Sequence, residues 1–120
     1  MEEEEVDRVQ ITPAIRRCVE AASDCYTVCT ETLTHSLDDG GDLSEPRHIR
    51  LLIDCGEISQ TTQNVLLRGS ELTLMLVAVC AEACEKAAES CRQLDGSDEQ
   101  LELCAETCMR CADSCRELVL

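Results

Sequence analysis

The chain has 120 residues, a formal charge of −15, 11 cysteines, a single Tyr, and neither Phe nor Trp. This length allows one domain, but its core must form without the aromatic side chains that dominate most protein interiors. The excess of carboxylates repels phosphate backbones and anionic lipids, so we expect no nucleic-acid partner and no membrane partner.

The predicted elements begin after an acidic lead-in. Residues 1–10 open with a block of like charges, unlike the basic segment of a secretory signal, and are predicted to be solvated and flexible. With no such signal and no apolar run long enough for a bilayer, the sequence favours a cytoplasmic protein whose thiols stay reduced. Because the number of cysteines is odd, at least one would stay unpaired even if all the others formed disulfides.

Four helices are predicted within residues 11–120. Each begins at a hydroxyl side chain suited to accept a hydrogen bond from the first turn, and these predicted N-caps are Thr12, Ser44, Ser70 and Ser97. Each break contains glycine, and Gly96 is predicted to end the third helix in the left-handed conformation. Helices of some 20 residues joined by short turns indicate an all-α fold, an antiparallel up-down-up-down four-helix bundle.

The cysteines within a helix follow one another at steps of three, four or seven residues, which keep side chains on one helix face. The predicted inward positions are Cys18, Cys25, Cys29, Cys55, Cys80, Cys84, Cys91, Cys104, Cys108, Cys111 and Cys115. Thiols in place of Leu lose packing and burial worth about 1 kcal/mol or more per site. So many of them in the core therefore favour metal ligation over core filling.

Folding the chain back at its turns predicts layers in this column of sulfur. One layer is expected to contain Cys29, Cys55, Cys84 and either Cys108 or Cys111. The next is expected to contain Cys25, Ser59, Cys80 and either Cys111 or Cys115. Hydrocarbon should close the far end of the bundle, through Ile11, Ile15, Leu66, Val77 and Leu118.

The two histidines, His35 and His48, are predicted to lie near Cys91 and Cys104, at the end of the bundle where the first helix finishes. A single histidine of this kind is more typical of a surface or helix-end residue. Two that converge at one end are candidate ligands that pass a metal ion inward.

A soft metal ion of low coordination number suits these donors. Cys-x-x-x-Cys places two sulfurs one turn apart, so that one ion can bridge them, and Cu(I) fits best. One Cu(I) between two thiolates leaves a negative charge, whereas sulfurs that each bridge two ions approach neutrality. We therefore predict multiple Cu(I) ions per chain in shared sites. The spacings match neither iron–sulfur runs nor a di-iron bundle, and they offer no discrete tetrahedral zinc set.

The chain resembles the cysteine-rich four-helix-bundle copper-binding proteins, the bacterial cytosolic copper storage proteins. The resemblance covers about residues 15–118 and rests on the segments HIRLLIDC (48–55), LRGSE (67–71), CAEAC (80–84) and CAETCMRCADSC (104–115). It implies a homotetramer whose bundles hold many Cu(I) ions on inward-facing cysteines, loaded from an end that carries histidine, for storage or sequestration and without catalysis. The chain departs from the family pattern at Ser36, Ser59 and Ala87, which predicts a lower copper capacity.

Two other functions stay open at this point. The chain could be a structural or partner-binding helical bundle whose cysteines only pack. It could also be a thiol redox or metal-responsive regulator, although buried thiols react slowly. For copper storage, the expected partners are copper ions, with a copper donor as a further candidate.

Overall fold

The computed structural model describes residues 9–119, and four long helices account for most of them. Their bounds are Pro13–Asp39 for α1, Pro46–Leu67 for α2, Thr73–Leu94 for α3 and Glu99–Val119 for α4, and one 3-10 turn, Asp42–Ser44, precedes α2. Helices α1 and α3 each pack against both α2 and α4. The predicted four-helix bundle is confirmed. Of the predicted lead-in, residues 1–8 lie outside the described residues.

The first two helices begin at different kinds of cap. The hydroxyl of Thr12 accepts a hydrogen bond from the Ile15 N–H at 3.2 Å, which confirms the predicted N-cap of α1. At α2 the prediction of Ser44 is wrong, because the carboxylate of Glu45 accepts two N–H groups of the first turn, at 2.9 and 3.0 Å. The Ser44 hydroxyl instead donates to the carbonyl oxygen of Ser36 at 2.7 Å, which ties the 3-10 turn to α1.

The last two helices also differ from the prediction at their starts. The prediction of Ser70 as the N-cap of α3 is wrong, because Leu72 occupies that position. The Ser70 hydroxyl instead accepts the Leu72 N–H at 3.0 Å, within the turn that leads into α3. The cap of α4 is Asp98, not Ser97, since the Asp98 carboxylate accepts the Leu101 N–H at 2.9 Å. A carboxylate also interacts favourably with the positive end of the helix dipole, which a hydroxyl does less well.

Two of the helix breaks depend on glycine in the left-handed conformation. Gly40 has φ 69° and Gly69 has φ 64°, whereas Gly96, against the prediction, has no positive φ. Helix α3 ends instead at a turn in which the Asp95 carboxylate accepts the N–H and the hydroxyl of Ser97, at 3.0 and 2.7 Å. This turn, closed by the Asp95 side chain, ends α3, which the sequence had assigned to a left-handed Gly96.

Hydrocarbon closes the end of the bundle where α1 begins, as predicted. Ile15, Leu66 and Val77 are buried there, and Leu118 packs against them in a partly buried position. Ile11 is an exception, with 41% of its surface exposed, because it precedes the N-cap and leaves the helical face. Within residues 9–119, no helix has both the length and the apolar character needed to cross a bilayer.

The glycine assignments predict a contrast between two substitutions. Added Cβ atoms at Gly40 and Gly96 both meet open space, so backbone conformation alone separates them. We expect Gly40→Ala to lower the free energy of unfolding by about 1–2 kcal/mol because of its positive φ. Gly96→Ala should leave it unchanged or slightly higher. Urea unfolding of the copper-free protein measures both, and an equal effect of the two substitutions would contradict the assignment.

Candidate metal centre

All eleven cysteines are free thiols, and all are buried. None has more than 1% of its surface exposed, and the sulfurs come from all four helices. The inward direction predicted from the spacing is therefore confirmed. The bundle axis is occupied by sulfur where hydrocarbon would ordinarily lie.

The densest part of this column lies around Cys25. Its sulfur is 3.6–3.9 Å from the sulfurs of four other residues, Cys55, Cys84, Cys108 and Cys29. Four of these sulfurs lie within 4.8 Å of one another, and we call this group, Cys25, Cys29, Cys55 and Cys108, the central cluster. Cys29, Cys55 and Cys108 share this cluster, as predicted for their layer, but the predicted layer is wrong in one member: Cys25 takes the place of Cys84, which belongs to a neighbouring group.

Two further groups of three sulfurs adjoin the central cluster. They are Cys25, Cys84 and Cys111, and then Cys80, Cys111 and Cys115. Cys25 belongs to the central cluster as well, and Cys111 belongs to both groups of three. Because sulfurs are shared between neighbouring groups, the donors form a continuous column and not a series of separate sites.

The two ends of the column are thinner. At the hydrocarbon end, Cys18 lies 3.6 Å from Cys115 and has no other sulfur neighbour within hydrogen-bonding distance among the described residues. At the opposite end, the sulfur of Cys104 lies 4.0 Å from that of Cys29. Cys91 follows beyond it, where the influence of the Cys104 thiol, together with burial, raises the Cys91 pKa.

Ser59 and Ala87, two positions at which the chain departs from the family's cysteine pattern, both lie in the core. Ser59 is fully buried, with its oxygen 3.8 Å from the sulfur of Cys80 and 4.0 Å from that of Cys84. Ala87 is also fully buried and offers no donor atom. Helix α2 therefore contributes a single sulfur, that of Cys55, to the core.

His48 lies buried at the end of the bundle where α2 begins. Its Nδ1 atom is 2.8 Å from the Ser90 hydroxyl oxygen, and its Nε2 atom is 3.3 Å from that of Ser36. Burial lowers the pKa of His48, while the nearby Cys104 acts in the opposite direction. Sequence reasoning missed Ser90, although it lies three residues after Ala87 and so on the same side of α3.

His35 does not join His48 in the core. Its Nε2 atom donates to the Asp98 carboxylate at 2.8 Å, on the exposed rim of the same end of the bundle. The inward position of α1 is taken by Ser36, seven residues after Cys29, and His35 is displaced by about 100° around the helix. The predicted convergence of the two histidines on the sulfurs therefore holds for His48 alone.

Ionisation of the thiols is strongly coupled. Interactions with the neighbouring thiols of Cys108 and Cys111 hold the pKa of Cys25 below its ordinary value, although burial acts against this. A hydrogen bond with Cys104, together with burial, raises the pKa of Cys29. A thiolate in this column thus needs protonated neighbours, and the remaining protons can leave only when cations replace them.

A column of buried, reduced and shared thiols inside a four-helix bundle defines a protein that binds soft metal ions through sulfur. The family model for copper storage proteins matches residues 12–120, and the chain belongs to that family.

Solved structures of similar chains have the same fold. The Nmul_A1745 protein from Nitrosospira multiformis is 40% identical, with a TM-score of 0.81 over 88% of this chain and 94% of that one. The copper storage protein Ccsp from Streptomyces lividans, in a form loaded with 10 copper equivalents, is 28% identical, with a TM-score of 0.83 over 88% and 83%. The cysteine-rich protein YhjQ from Bacillus subtilis is 28% identical over 78 residues, 65% of this chain and 72% of that relative.

The burial of His48 predicts a pH dependence of stability in the copper-free protein. Because its pKa is lowered on folding, the unfolded chain takes up the proton first, and stability falls as the pH drops below about 6.5. We expect His48→Gln to reduce this loss by up to about 1.4 kcal/mol per pH unit. The measurement is urea unfolding from pH 7.5 down to about pH 5.5. His35→Gln, which retains His48, is the control, and equal slopes for the wild type and His48→Gln would contradict the prediction.

Proposed function

We propose that the chain stores Cu(I) on the thiolates of its bundle core, with several ions per chain. The observation that carries this function is the sharing of sulfurs between adjacent groups, since Cys25 and Cys111 each belong to two of them. A bridging thiolate shares its single negative charge between two monovalent ions, so the number of ions can approach the number of thiolates. Clusters can then grow along the column without isolated buried charge.

The donor geometry favours Cu(I) over zinc. The central cluster has the four thiols that a structural zinc site requires. Cys25, however, also belongs to the neighbouring group of three, and a closed tetrahedral site leaves no free donor for that group. Soft sulfur donors shared among neighbouring ions suit Cu(I), which accepts low coordination numbers.

Copper is loaded, in this proposal, from the end that carries His35 and His48. His48 supports this direction because it is the one histidine aimed into the core, held between Ser36 and Ser90. Its lowered pKa keeps the imidazole neutral near pH 7, which is the form that can donate to a metal ion. His35 lies on the rim beside Asp98, where it is accessible to a copper donor.

The metal ligands proposed are the eleven cysteines with His48 and, at the rim, His35. A cytoplasmic location is supported by the reduced thiols and by the description of a Streptomyces lividans relative as a cytosolic copper storage protein. We include in the proposal a homotetramer, as the resemblance implies. Ser59 and Ala87 lower the number of donors and hence the capacity.

A titration with Cu(I) tests the function directly. Reduced protein is titrated in the presence of a tight Cu(I) chelator, and we expect several ions per chain to be withheld from the chelator. Ser59→Cys should raise the number bound, because the Ser59 oxygen already lies among the sulfurs of Cys80 and Cys84. Leu37→Cys, on the exposed surface of α1, is the control. Saturation at zero or one ion per chain would end the storage proposal and favour cysteines that only pack.

The uneven density of the column predicts unequal effects of two conservative replacements. Cys25 has four sulfur neighbours, whereas Cys18 has Cys115 alone. Cys25→Ser should therefore lower the number of tightly bound Cu(I) ions more than Cys18→Ser does. The chelator titration measures both variants, with circular dichroism to confirm that each is folded. Equal losses would show that position in the column has no influence on binding.

A further inference from the structure

An apolar face on α3 lies outside the metal-binding core. Leu72, Met75 and Val79 have 47%, 66% and 51% of their surfaces exposed, although the chain is otherwise rich in surface carboxylates. Met75, Val79, Ala83 and Lys86 recur at steps of three and four residues and so lie along one side of α3, and Leu72, the N-cap residue, precedes Met75 by three positions. We call these five residues the α3 face. A cluster of exposed apolar side chains of this kind is typical of an interaction surface.

The α3 face borders a groove between α2 and α3. The groove has a volume of about 420 Å³, and its apolar lining includes Leu51, Ile58 and Val79. Its polar residues are Asp54, Glu82 and Lys86. Among residues 9–119, Lys86 has a single ion pair, the exposed one with Glu82 at 3.7 Å, and such pairs contribute little stability. Its charge therefore remains available for a partner.

The spacing of the α3 face is symmetric about Val79. Met75 and Ala83 lie four residues to either side of it, and Leu72 and Lys86 lie seven residues to either side. An antiparallel copy of α3 related by a two-fold axis at Val79 therefore sets the large Met75 against the small Ala83. The same operation sets the aliphatic stem of Lys86 over Leu72.

Charge fits the same arrangement. Glu71 directly precedes Leu72, is exposed, and forms no ion pair among the described residues. In the antiparallel pairing, the ammonium group of Lys86 lies beside Glu71 of the second copy, and the symmetry produces this pair twice. A parallel pairing in register would instead bring the two Lys86 side chains together.

Resting on the homotetramer of the proposed function, we propose that the α3 face is one of its self-association surfaces, on which a second copy of this chain docks antiparallel with the two-fold axis at Val79. Met75 of each copy enters the groove of the other beside Ala83, and Lys86 pairs with Glu71 at both edges. The association uses no metal ligand, so it forms with or without copper. It also identifies one of the contacts from which a larger assembly can be built.

Particle mass in solution tests the surface. Val79→Glu places a carboxylate at the two-fold axis, and we expect association to weaken by at least about 100-fold, so that sedimentation detects a smaller particle. The matched control is Leu37→Glu on α1, where Leu37 is 54% exposed, and its particle mass should equal that of the wild type. Cu(I) capacity of Val79→Glu should be unchanged, which separates this test from that of copper storage.

Zero-length cross-linking tests the register. Lys86 is the only lysine in the sequence, so carbodiimide coupling of its amine to a carboxylate gives an unambiguous peptide. Isotope-labelled and unlabelled chains are refolded together, coupled and digested, and we expect a Lys86–Glu71 peptide of mixed isotope composition. Four results would overturn the proposal: a wild type of single-chain mass, a Val79→Glu variant of unchanged mass, an equal loss in Leu37→Glu, or the absence of the mixed Lys86–Glu71 peptide.

Discussion

The close packing of thiols along the bundle axis is the constraint on which the rest of the structure depends. Sulfur–sulfur distances of 3.6–4.0 Å across helices require that the four backbones approach closely. Small side chains at the flanking positions permit this approach, and Ala22, Ala87, Ala105 and Ala112 are fully buried. A free thiol behaves as a small hydrophobe, so the copper-free bundle can fold around its own binding site.

The same packing makes the column receptive to cations. A buried thiolate is stabilised only while its neighbours remain protonated donors, as the opposite pKa shifts of Cys25 and Cys29 illustrate. All the thiols of the column can ionise together only if cations balance their negative charge. Monovalent ions shared between sulfurs do this and leave little net charge in the core. The hydroxyl of Ser59 and the methyl group of Ala87 interrupt this sharing, so that the column is richest around Cys25.

Sequence reasoning located the sulfurs because helical periodicity fixes direction. A step of three, four or seven residues leaves little choice of face, which is why all eleven cysteines lie inside as predicted. It failed at two helix caps, where the length of the side chain decides which of two adjacent residues accepts an N–H group of the first turn. The carboxylates of Glu45 and Asp98 accept these N–H groups, and the neighbouring serines do not. His35 lies one residue before the inward position of α1, and residue spacing does not predict its hydrogen bond with Asp98. The layer occupied by Cys25 depends on the relative shift of the helices, which sequence leaves open by about one turn.

X-ray absorption at the copper edge of the loaded, reduced protein tests most directly whether the inward sulfurs act as one shared site. Shared thiolates predict a first shell dominated by sulfur, together with backscattering between neighbouring copper ions that strengthens as more Cu(I) is added. A first shell of nitrogen and oxygen, or a sulfur shell without any copper–copper signal at full loading, would contradict the account.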